Sequence, residues 1–153
     1  MIPWAVLLVL TFVGACRRSP GGSTEGANSS QEAVMQFLDA ARAQDLQAMS
    51  AVWGDAEAPA RTRMERQELE RRLLIIVCHL RHDSAAIAPS SPGEGGRLVH
   101  RAEVTKGTMT VSVPFTTVRN RDSGQWFVED IDLRPAREFC TTGGAPTPTR
   151  RSP

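Results

Sequence analysis

Near residue 83 the spacing of the apolar residues changes from helical to alternating, and no other feature of this chain restricts its fold as strongly. Before that point Val34, Phe37, Leu38 and Ala41, and then Leu69, Leu73, Ile76, Val77 and Leu80, recur at the three-and-four spacing of a helix face. After it, Met109, Val111, Val113 and Phe115 fall on every second position, the period of a half-buried strand. Helices followed by strands predict an α+β fold, with N-terminal helices packed on a curved antiparallel sheet. At 153 residues the chain has room for one such domain.

The helix boundaries follow from capping chemistry. Ser29 with Glu32 three residues on makes a capping box. Asp45 recaps a second, shorter helix carrying Leu46, Met49, Val52 and Trp53, which Gly54 is expected to end in a left-handed conformation. Thr62 and Glu65 form a second capping box before the long helix. There Leu74, Ile75 and Cys78 broaden the apolar surface, so its second half is expected to be buried on more than one side. Strands are expected at Leu98 to Thr105, Met109 to Val118 and Gln125 to Leu133, with a short one at Ala85 to Ala88. Pro114 inside the second of these points to an edge strand or a bulge.

The two ends have a different composition. Ile2 to Val13 is nearly all apolar, too short for the roughly 20 residues of a membrane span but suited to the core of an export signal. Val13-Gly14-Ala15-Cys16 resembles the lipobox of bacterial lipoproteins, although Met1-Ile2-Pro3-Trp4 lacks the usual positive charge. The resemblance implies a signal peptide over 1–15, cleavage before Cys16 and acylation of that residue, with the mature chain held on a membrane of the bacterial cell envelope. Arg17 in place of an aspartate after the lipidated cysteine favours the outer membrane, facing the periplasm. Residues 16–30 then read as lipidated cysteine and flexible tether, 31–140 as the domain, and 141–153 as a disordered tail.

Ala33-Val34-Met35-Gln36-Phe37-Leu38-Asp39-Ala40, followed by Asp45-Leu46-Gln47-Ala48-Met49, resembles the first two helices of the cone-shaped family of nuclear transport factor 2 and ketosteroid isomerase. Gly124-Gln125-Trp126-Phe127-Val128-Glu129-Asp130-Ile131 resembles its terminal strand. The resemblance covers roughly residues 30 to 133 and implies a concave sheet closed by helices into a pocket; a cystatin-like domain is the structural alternative. Such pockets serve enzymes, ligand binders and assembly domains alike.

Charge excludes one class of partner. Setting aside Arg17, Arg18, Arg150 and Arg151 among the 18 basic residues, and Glu25 among the 17 acidic ones, leaves the domain at −2. Its densest basic run, Arg61 to Arg72, is interleaved with Glu65, Glu68 and Glu70, which suits a solvated helix face and not a nucleic-acid surface.

For acid–base chemistry in a cone pocket the candidates are His100, sharing a strand face with Leu98, Ala102 and Val104, and Asp130, which strict alternation places with Asp132 on the face of Trp126 and Val128. Cys78-His79-Leu80-Arg81-His82 lacks the paired spacing of metal sites, so no metal or other cofactor is expected. With Cys16 assigned to lipid, Cys78 and Cys140 remain as a pair, bridged or free, in a compartment that permits disulfides. The leading expectation is a lipid-anchored, non-enzymatic domain that binds a small apolar ligand or an envelope protein. The rivals are an isomerase or dehydratase using His100 or Asp130, and a purely structural envelope protein dimerising through its outer sheet face.

Overall fold

The computed structural model describes residues 25–141. The segment read as an export signal, Cys16 and most of the residues read as tether and tail lie outside these residues. Four helices come first: α1 (Ser30–Ala43), α2 (Leu46–Val52), α3 (Ala60–Arg63) and α4 (Arg66–Leu80). Strands β1 (Ser84–Ile87), β2 (Ser91–Pro92), β3 (Leu98–Lys106), β4 (Met109–Arg119) and β5 (Trp126–Ile131) follow, and α5 (Arg137–Thr141) closes the described chain. The strands make one antiparallel sheet in the order β1-β3-β4-β5, with β2 also pairing β3. The chain is thus a single α+β domain.

Capping fixes the helices, with one correction. Ser29 accepts from the Glu32 amide while Glu32 accepts from the Asn28 amide, and Asp45 caps α2 through the Ala48 amide. The cap of α4 is Glu65, whose carboxylate accepts from the Gln67 and Glu68 amides. Thr62 instead lies inside α3, its hydroxyl donating to the Pro59 carbonyl. A carboxylate at the N-cap satisfies two orphan amides and complements the helix dipole, so the box beginning at Thr62 does not form.

Gly54 also acts differently from expectation. α2 ends on extended Trp53, and the left-handed non-glycine residue is Gln44, at the end of α1. Gly54 is needed for closeness: a Cβ there would lie 2.8 Å from the Ala58 carbonyl oxygen and 3.0 Å from the Phe127 ring. Gly26 approaches the same ring, its Cβ position 2.9 Å from Phe127 Cζ. The segment read as the end of a tether is therefore part of the domain. Glu25 pairs with Arg61, the Gly26 amide donates to the Ala51 carbonyl, and Ala27 exchanges two backbone hydrogen bonds with Trp126.

The core lies between the helices and one sheet face. Val34, Phe37, Met49, Leu73 and Leu80 from the helices meet Val104, Val113, Phe115 and Val128 from the strands. Phe37 packs edge-on against Phe115, with ring centroids 6.3 Å apart. Leu74 and Ile75 are 58% and 54% exposed, so α4 buries only one stripe, contrary to the expectation of burial on several sides. The helix packs against α1, α2 and α5, and its other flank faces outward.

Pro114 lies in a central strand, not an edge. It pairs with Arg101 of β3 and turns its ring nitrogen toward β5 just where β5 ends, so no donor is missed; its carbonyl accepts from the Asp132 amide at 3.0 Å.

Candidate functional site

β3 places His100 on the core face. It is directly opposite Phe115, which is in turn opposite Ile131, so the three side chains form one row across the sheet. His100 is 2% exposed and neither ring nitrogen makes a hydrogen bond. Burial lowers its pKa below the ordinary histidine value, with the Ala88 backbone opposing that shift only in part. The lowered pKa favours the uncharged imidazole.

Asp130 is on the other face and exposed. The register shifts between Thr116 and Thr117: Val128 pairs with Thr117, Asp130 with Thr116, and Glu129 is the extra residue. This bulge reverses every side chain beyond it, so Val128 and Ile131 share the core face while Asp130 faces outward with Thr116. Strict alternation put Asp130 with Val128, and the bulge overturns that placement. Glu129 is occupied by Arg97, which donates to both its carboxylate oxygens. Asp132 is held by the Arg134 side chain at 2.8 and 2.7 Å, which lowers its pKa to about 2 and makes it a poor base near neutrality. No two of these groups converge on a common point.

Four clefts among the described residues stand out, and neither His100 nor Asp130 lines any of these four. One of about 580 Å³ runs between α1, α2 and Gln125, floored by Ala40 and Ala48 and rimmed by Glu32, Asp39 and Asp45. Another, of about 260 Å³, separates α1 from β1, with Met35, Leu38 and Ile87 among its walls. A third is walled by arginines and carboxylates already paired with one another, Arg63 with Asp55 and Glu57, Arg97 with Glu129. Asp55 is opposed by burial but accepts from the Ala58 and Glu57 amides and faces Arg63, which together lower its pKa.

Cys78 and Cys140 are joined in a disulfide, with Cα atoms 4.9 Å apart and a sequence separation of 62. The bond ties α5 to the last turn of α4 and leaves neither of these two sulfurs as a thiolate for a metal. His79 meets the Ala136 carbonyl at 3.3 Å, and buried His82 meets that of Leu80 at 2.7 Å. Among the described residues no group of three metal-ligating side chains comes together, and no helix is long and apolar enough to cross a membrane.

The outer sheet face is polar, presenting Arg101, Glu103, Thr110 and Asp130 as exposed side chains. It offers little of the apolar surface that a dimer through this face needs. What sequence patterning missed is the difference between the two sheet edges. The edge beyond β5 is covered by Ala27 and by Gly54, whose amide donates to the Val128 carbonyl, whereas β1 ends the sheet with nothing paired beyond it among the described residues. Comparison with known proteins finds no matching family model, no matching curated protein and no matching solved structure.

Proposed function

We propose that this chain is a lipid-anchored protein of the bacterial envelope whose domain, of the nuclear transport factor 2 type, is a non-enzymatic module that binds a protein partner. The observation that carries the binding reading is the row of buried His100 and Phe115 with half-buried Ile131, none of which lines any of these four clefts. General acid–base catalysis requires a group within hydrogen-bond reach of the substrate, and geometry comes before pKa. The same filled interior favours a partner at the surface over a small apolar ligand inside the cone. Helices first, then a meander running from β3 to β5, supports the family reading.

Intact mass of the chain isolated from membranes tests the anchor: a diacylglyceryl modification and an added acyl chain on Cys16 are expected, and an unmodified terminus contradicts it. Native mass spectrometry of the same material tests the binding mode. The expected spectrum has no retained small ligand, and a stoichiometric apolar molecule overturns the choice of a protein partner.

A further inference from the structure

We infer that β1 is a self-association edge, where a second copy of this chain adds its own β1 antiparallel to form one continuous sheet across a two-fold axis. This inference does not depend on the anchor or on any other partner. The Ala88 amide donates to the Arg101 carbonyl at 2.9 Å, so by antiparallel alternation the backbone groups of Ser84, Ala86 and Ala88 face β3 while those of Ala85 and Ile87 face outward. Beyond being kept short, as four-residue β1 is, open strand edges are normally defended by lysine, proline, a bulge or a covering segment. The β5 edge has such a cover, and β2 carries Pro92; Ser84-Ala85-Ala86-Ile87 has none of these.

The edge is self-complementary. Pairing Ala85 with Ile87 of the second copy, in both directions, satisfies all four outward amides and carbonyls and sets a small side chain beside a large one on the helix face. Ala86 then meets Ala86 of the second copy on the outer face. Beside the edge, the cleft between α1 and β1 exposes Met35 at 48%, one of three large apolar side chains so exposed among the described residues. Its charged walls, Asp39 and Arg42, already pair with each other, so two copies meet without unbalanced like charge. Four strand residues and Met35 cover less than the roughly 1,200 Å² of a stable interface, which places this contact in the weak, reversible class.

The experiment uses the full chain in detergent with Cys16→Ser, the native disulfide retained, and a cysteine introduced by Ala86→Cys. Central non-hydrogen-bonded partners lie about 4.5 Å apart, within disulfide reach, so mild oxidation is expected to give about tenfold more crosslinked dimer than Thr110→Cys on the outer face. Adding Met35→Glu, an exposed change that leaves the fold intact, is expected to abolish the excess. Equal crosslinking at both positions overturns the proposal. So does an Ala86→Cys chain that stays uncrosslinked and sediments as a monomer, or one whose edge is instead occupied by a segment of another protein.

Discussion

His100 and Asp130 face opposite sides of the sheet, one buried against Phe115 and the other exposed beside Thr116. The single-residue bulge at Glu129 separates them. Two residues that each suit acid–base work by type therefore belong to a core and a surface.

The first prediction concerns pH. A histidine whose folded pKa is lowered binds fewer protons in the native state, so its contribution is intact above about pH 6.5 and is lost as pH falls below that value. The loss for one proton cannot exceed about 1.4 kcal/mol per pH unit. His100→Leu is expected to keep stability within about 1 kcal/mol at pH 7.5, because it removes two unpartnered polar atoms, and to flatten the acid slope relative to the parent. Urea titrations of both chains from pH 7.5 to 5 measure this; parallel slopes contradict it.

The second concerns the disulfide. Closing a 62-residue separation is worth about 2–4 kcal/mol, so Cys78→Ala with Cys140→Ala is expected to lower the urea midpoint substantially. Equal midpoints for parent and double variant, each under non-reducing conditions, run against this account.

The third separates the two faces of α4. Leu73→Ala is expected to cost about 2–5 kcal/mol, since Leu73 is fully buried, whereas Leu74→Gln and Ile75→Gln stay within about 0.5 kcal/mol. A large loss at Ile75 shows that a partner or a further segment covers that flank.

The fourth concerns Gly54. Gly54→Ala places a methyl 2.8 Å from the Ala58 carbonyl oxygen and 2.9 Å from Pro59 Cα, both backbone atoms that cannot rotate away. A cost of about 1–3 kcal/mol in thermal or urea unfolding is expected; an unchanged midpoint denies the close approach.

Local chemistry was legible where it involved neighbours in sequence. Ser29, Glu32 and Asp45 cap as their spacing predicts, and β3 and β4 begin where alternation begins, because caps and periodicity are short-range. Apart from the choice of Glu65 over Thr62 as the cap of α4, the misreadings depend on distant chain. Gly54 answers to Phe127, and the exposure of Leu74 and Ile75 depends on what lies against α4. The orientation of Asp130 depends on a bulge created by pairing with Thr116 and Thr117. Of the candidate site, sequence identified His100 and the cysteine pair; its surroundings became visible only once β4 was laid beside β3.

The most direct test of a packed core in place of a catalytic cone is the ring-nitrogen NMR titration of His100. The expected result is a single neutral tautomer at pH 7, with a pKa below 6.5 and no response to added small molecules. A ring that titrates at or above 6.5, or shifts when a ligand is added, contradicts the account.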